Sequence, residues 1–186
     1  AALKEVERAI NTLRFRGVEI FTDINGKPVD AAEFRPVFAL MESHNLPVFL
    51  HPRGTNTVPD YEGESFSKYL SFTNFGWPYA TSKAMSRIAF GGVFDEFPNL
   101  KVITHHAGGM VPFFSQSIQL SWDFNEMRMG YRGHLTATGT PLDSYRRFYC
   151  DTAIQGNTPA LMCAFDFFGA DQVLFGTDTP YDNQLG

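Results

Sequence analysis

Five successive segments, four reading strand, loop, helix and the fifth a strand alone, predict an α/β chain on a parallel sheet, and within that class a partial (β/α)8 barrel. Three observations carry this reading. Strand-like and helix-like segments alternate along the chain. The strand segments are apolar throughout, the pattern of strands buried on both faces under helices. The residues able to do chemistry fall at strand C-terminal ends: His51-Pro52-Arg53, His105-His106, Asp151 and Asp178. A barrel gathers its chemistry on that one face. An open doubly wound sheet is the alternative that alternation alone permits. A complete barrel takes eight units and about 250 residues. Here 186 residues supply five units, the last without its helix. The expectation is one domain, residues 1–186, matching strands four to eight. The first three units and the closing helix would then lie outside it.

The elements follow in order. Val18–Asp23 is a short β-rich run, and Asn25-Gly26 is turn chemistry. In AAEFRPVFALMESHN, Phe34, Val37, Phe38 and Met41 share one helix face. Pro36 falls early in that helix, where a missing N–H costs little, and Asn45 suits its end. LPVFLH is a buried strand ending in His51. A long loop runs from Pro52 to Pro78, rich in Gly, Ser, Thr, Asn and aromatics. TSKAMSRIAFGGVFDEFPN predicts a helix capped by Thr81 or Ser82. LKVITHH is the next strand, Pro112–Met129 the next helix, and a Gly/Thr-rich loop follows. RRFYCDT is a strand, TPALMCAFDFFG a helix stopped by Gly169, and ADQVLFGTDTPYD the last strand and its exit.

Composition narrows the classes. Hydrophobic residues make up 44% and charged residues 19%, a globular balance. Phe occurs 19 times, spread along the chain as core filler. The net charge is −5 without a Lys/Arg run, so nucleic-acid and anionic-membrane binding have no electrostatic support. No apolar run approaches the roughly 20 residues of a membrane helix. The start does not read as a secretory signal. Cys150 and Cys163 are too few for a disulfide framework; both are expected reduced and partly buried, in a cytoplasmic protein.

His51 closes a buried strand where Pro52 forces the chain out of the sheet. An imidazole there binds zinc, iron or manganese, or caps the strand by hydrogen bonds. Arg53 holds a substrate carboxylate or a surface salt bridge. Asp178 follows an apolar strand and a glycine; it binds metal, moves a proton, or ties its loop to nearby N–H groups. Asp151 orients a histidine or is structural. Trp77, Phe72, Phe75 and Tyr79 wall an aromatic substrate or pack on the rim. His44 reads as structural, Asp182 as an exposed turn residue, and His134 has no role. Neighbours in a strand point to opposite faces, so one of His105 and His106 should face the pocket. Periodicity does not say which.

His51 at one strand end, His-x-Gly-Gly at the next and Gly-Thr-Asp at the last form a specific series. It resembles the amidohydrolase-related metal-dependent barrel family, in its aminocarboxymuconate semialdehyde and γ-resorcylate decarboxylase branch. GVEIFTD and LPVFLHPRG look like strands four and five of that family, LKVITHHAGG like strand six, VLFGTDTPYD like strand eight. The resemblance implies His51 and Asp178 as metal ligands, with His106 and Asp178 catalytic. His106 would face the pocket and His105 would not. Arg53 and Trp77 would contact substrate. The family's first strand supplies a His-x-His or Glu-x-His pair. None occurs here, so it is expected upstream of Ala1. The resemblance implies a divalent metal (Zn, with Mn or Fe as alternatives) and a small carboxylated aromatic or unsaturated substrate. The reaction would be decarboxylation or hydrolysis, with hydration or a non-catalytic barrel relative as alternatives. A homo-oligomer is compatible with it.

Overall fold

The computed structural model describes residues 2–130 and 139–181. The chain opens with a helix, α1 (Ala2–Asn11), ahead of the first predicted strand. Strand β1 (Val18–Phe21) leads into a small antiparallel hairpin, β2 (Asp23–Ile24) and β3 (Lys27–Pro28). Asn25 (φ 54°) and Gly26 (φ 76°) are both left-handed, as a tight two-residue hairpin turn requires. Helix α2 (Arg35–Ser43) has its proline in the first turn and buries Phe38 and Met41. It ends at His44, and Asn45 follows in the left-handed conformation (φ 54°) that stops helices.

Next come β4 (Val48–His51), α3 (Trp77–Phe90), α4 (Val93–Glu96) and β5 (Val102–Thr104). Then follow α5 (Ser115–Met129), α6 (Pro141–Tyr145), β6 (Tyr149–Asp151), α7 (Thr158–Phe168) and β7 (Val173–Leu174). Two predicted helix boundaries shift. Helix α3 begins at Trp77, not at Thr81 or Ser82. A π-helical turn, Phe72–Gly76, feeds directly into it, and Pro78 occupies its first turn. Thr81 is therefore an interior residue, fully buried. The long predicted helix through Phe97 is cut by Gly91-Gly92, where Gly92 (φ 77°) turns the chain into α4. The loop after Met129, with His134, and Asp182 lie outside the described residues.

The five longer-range strands pair in parallel in the order β1-β4-β5-β6-β7. That is chain order, without the reversal a doubly wound sheet contains. In register, Val18, Val48 and Val102 form one row, and Ile20, Leu50, Thr104, Cys150 and Val173 the next. Residues in one row of a parallel sheet point to one side. Val48, Leu50, Val102 and Cys150 have no exposed surface and share a core with Phe38, Met41, Met85, Ile88 and Phe168 from the helices. Burying side chains of that size stabilises by roughly 1.5–3 kcal/mol each. The alternate residues form the other face: Glu19, Phe49 and Tyr149, then Phe21, His51 and Asp151. Burial on both faces was the expectation. The second face is instead partly open, with Phe21 48% and Leu174 38% exposed. Among the described residues no helix layer covers it, and its residues line a cleft. Among the described residues, no helix is long and apolar enough to cross a membrane.

Candidate metal and active site

The C-terminal ends of β4, β5 and β6 and the segment after β7 meet around a cleft of about 650 Å³. That lies within the roughly 300–1,000 Å³ usual for small-molecule sites. His51, the last residue of β4, points into it. Its Nδ1–H donates to the carbonyl of Pro52 at 2.8 Å. One nitrogen so engaged leaves Nε2 with its lone pair free, the form of imidazole that ligates metals.

Strand β5 ends one residue before the doublet. His105 is still extended (φ −80°, ψ 163°), but His106 (φ 57°) and Ala107 (φ 55°) are left-handed. Gly108 (φ 78°) and Gly109 (φ 63°) continue the turn. Alternation across a strand therefore does not apply to the pair. His106 reaches Asp178, with Nε2 3.6 Å from Oδ2. His105 lines the cleft; His106, expected to be the one that faces it, is not among the lining residues and meets the cleft through Asp178 and Trp77. The two glycines serve packing more than the imidazole. A Cβ on Gly108 would lie 2.6 Å from the Phe168 ring, and one on Gly109 2.7 Å from the carbonyl of Pro78.

Asp151, the last residue of β6, holds this turn together. Its Oδ1 accepts from the backbone N–H of His106 at 2.8 Å and of Ala153 at 3.1 Å. Its Oδ2 accepts from Nδ1 of His105 at 2.7 Å. Burial works to raise the carboxyl's pKa, but the His105 hydrogen bond and charge outweigh it and hold it low. For His105, burial works to lower the pKa, and Asp151, Glu19 and Asp178 together raise it. For His106 burial prevails: its pKa is lowered, despite Asp151 and Asp178, so the neutral imidazole is favoured.

The ligand atoms of His51, His106 and Asp178 all lie within 4.8 Å of one another. Two imidazoles and a carboxylate at that spacing suit a divalent zinc, manganese or iron ion. Asp178 owes its position to a left-handed backbone (φ 64°) just past β7. Trp77, the first residue of α3, forms a wall. Its ring stacks on His106 at 6.1 Å and meets His51 edge-on at 5.7 Å.

Arg53 is placed differently from expectation. Its guanidinium pairs with Asp23 at 3.2 Å, and it is not among the residues lining the cleft. His51 faces in, and the turn at Pro52 carries Arg53 toward the β2–β3 hairpin. Glu19 and Phe21, missed in the sequence, do line the cleft. The available signal was Glu19 itself, a charge inside a run otherwise read as buried on both faces.

Known proteins resemble this chain in sequence and fold. The family profile described as amidohydrolase matches residues 1–185. A 6-methylsalicylic acid decarboxylase of Penicillium expansum is 31% identical over 97% of this chain and 53% of its own length. A γ-resorcylate decarboxylase of a Polaromonas species is 28% identical over 98% of this chain and 56% of its own. A crystal structure of dihydroxybenzoic acid decarboxylase from Polaromonas, holding manganese and 2-nitroresorcinol, superposes with a TM-score of 0.78 at 26% identity. It covers 98% of this chain and 56% of that one. The chain thus spans about half the length of the curated relatives it matches.

Proposed function

Because this chain belongs to the amidohydrolase family, we propose that it forms strands four to eight of a metal-dependent (β/α)8 barrel that decarboxylates a small aromatic carboxylate. The chain-order parallel sheet supports the barrel sector, and matching about half of each decarboxylase relative supports its extent. One observation carries the site: His51, His106 and Asp178 converge within 4.8 Å at the C-terminal end of that sheet.

His51 and Asp178 would hold the metal, completed by ligands from a first strand outside this chain. Zinc and manganese both suit these donors; manganese is present in the related dihydroxybenzoic acid decarboxylase. When bound, such an ion acts as a Lewis acid toward a substrate oxygen. The remaining work falls to the chain itself. Loss of CO₂ leaves the electron pair of the broken C–C bond on the ring carbon, which takes up one proton. His106 is buried, neutral by preference and 3.6 Å from Asp178. Drawn from water, that proton can pass between the two and on to the ring carbon. Trp77 lies beside both imidazoles and supplies a flat wall for the ring. Asp151 keeps the His106 turn in place through the backbone N–H. Arg53 is omitted from the substrate contacts because Asp23 occupies it. The two free cysteines, one fully buried, fit a reducing, cytoplasmic setting.

The test is metal content and CO₂ release by the full-length protein, with 6-methylsalicylate and 2,6-dihydroxybenzoate as substrates and zinc or manganese supplied. Near-stoichiometric metal and chelator-sensitive CO₂ release are expected. Metal below about a tenth of an equivalent with either ion supplied, or activity indifferent to chelators, would overturn the reading.

A further inference from the structure

Asp178 is one of the two proposed metal ligands, yet the ladder of the sheet stops short of it. Pairing of β6 with β7 ends at Asp151 and Leu174. Nε2 of His106, at 3.6 Å, is too far from the Asp178 carboxylate to hold it by a hydrogen bond. The segment from Phe175 to Asp178 therefore needs another tie to the sheet if the carboxylate is to stay aimed.

Thr152, the first residue past β6, supplies that tie. Its hydroxyl donates to the carbonyl of Gly176 at 2.8 Å and accepts from the N–H of the same residue at 3.1 Å. A hydroxyl can do both at once. One side chain thus makes the two bonds that a neighbouring strand would make to that backbone. Gly176 lets the grip close. A Cβ there would lie 3.2 Å from the Cβ of Asp151, tighter than side chains normally pack, so bare backbone lies against the end of β6.

The turn beyond is tied to itself. Thr177 Oγ1 accepts from the N–H of Thr179 at 3.3 Å, and the carbonyl of Asp178 accepts from the N–H of Tyr181 at 2.7 Å. The grip at Gly176 joins that turn to the sheet. Asp151 and Thr152 are adjacent and divide the work. Asp151 accepts from the backbone N–H of His106 and fixes the turn that carries that imidazole. Thr152 fixes the arm that carries Asp178. Two consecutive residues at the end of one strand thereby set the spacing of two groups that neighbouring segments deliver.

We propose that Thr152 is a positioning residue for the metal site: by gripping Gly176 it sets the reach of Asp178 toward His51 and His106. This rests on the reading of Asp178 as a metal ligand. Thr152 itself is not among the residues lining the cleft.

The experiment is a calorimetric titration of the metal-free, full-length protein with manganese. Thr152→Val keeps the branched shape and removes the hydroxyl. It should weaken manganese binding about tenfold, the lower end of what an outer hydrogen bond is worth to a metal site. Thr152→Ser keeps the hydroxyl and should bind as wild type does. In an Asp178→Ala background, Thr152→Val should cost no further affinity, because the ligand it positions is gone. A hydroxyl that served stability alone would lower the melting temperature and leave the affinity of the folded protein unchanged. Wild-type affinity in Thr152→Val, or a further loss in the Asp178→Ala background, overturns the inference and leaves the metal reading standing. Failure of wild type to bind manganese overturns both. Should Thr152→Val fold poorly, Gly176→Ala decides. It keeps the hydroxyl but crowds Asp151, and should also weaken manganese binding. Unchanged affinity there overturns the assignment.

Discussion

The two faces of the sheet are made from alternate residues of the same strands, yet they answer to different forces. On the helix side, Val48, Leu50, Val102 and Cys150 are completely buried among apolar side chains. On the cleft side, half-buried His51 and His105 and buried Asp151 line the cleft with polar side chains. Leu50 and His51 are adjacent, and each faces where the other does not. The pleat thus separates stability from chemistry at single-residue resolution. Substitutions on one face should cost folding free energy and leave the site's composition intact. Those on the other should cost metal or turnover and leave folding nearly untouched.

The largest effect should come from the cleft face. His51→Ala or Asp178→Ala in the full-length protein removes a donor from the converging set. Metal affinity should fall by more than about 100-fold, beyond what loss of an outer hydrogen-bond partner costs. Metal analysis after dialysis reads this directly. His106→Ala should come next. It should keep most of its metal while turnover falls by about 10²–10⁴-fold, the usual contribution of a proton-transferring side chain. Loss of metal in His106→Ala would instead make His106 a third ligand, which its place in the same cluster permits.

The helix-side counterpart is Leu50→Ala, beside His51 in β4. It should lower unfolding free energy by about 2–5 kcal/mol, measured by denaturant titration. Below its melting range the metal content should match wild type. A Leu50 variant that folds normally but fails to hold metal would break the separation of the two faces.

Much of this division could be read from the chain before any coordinates. Strands of three or four apolar residues, closed by His51-Pro52 or by His105-His106, marked both the sheet and its reactive end. Asp178 was visible as a carboxylate just past the last strand. What was not legible depends on backbone that leaves the regular pattern. That one of the two histidines would turn away followed from carrying strand alternation past the end of β5, and the family resemblance made it His105. With the left-handed backbone at His106, both imidazoles stand beside His51, at 5.0 and 5.6 Å between ring centres. Helix α3 starts at Trp77 because a π-helical turn delivers the chain there, and no local composition announces that. Of the two readings open for Arg53, the structure has the surface salt bridge, because the β2–β3 hairpin brings Asp23 beside it. Glu19 looked like an interruption in a buried strand, since the open second face was not foreseen.

The smallest expected effect uses the two cysteines as probes of the same contrast. Cys150 lies in β6 on the helix side, next to Asp151 on the cleft side. Burial, with the Asp151 charge adding to it, pushes its thiol pKa up to about 12. The thiolate is the reactive form, so at pH 8 only about one Cys150 in 10⁴ is poised to react. Cys163, in α7, is only partly buried. Iodoacetamide at pH 8, followed by peptide mass analysis, should label Cys163 and spare Cys150 until denaturant unfolds the chain. Leu50→Ala should hasten Cys150 labelling, because it raises the population of open states that expose the helix-side core. His51→Ala, one residue away, should not. Equal acceleration by both variants would mean that the two faces open together, and that the boundary between them is no boundary in solution.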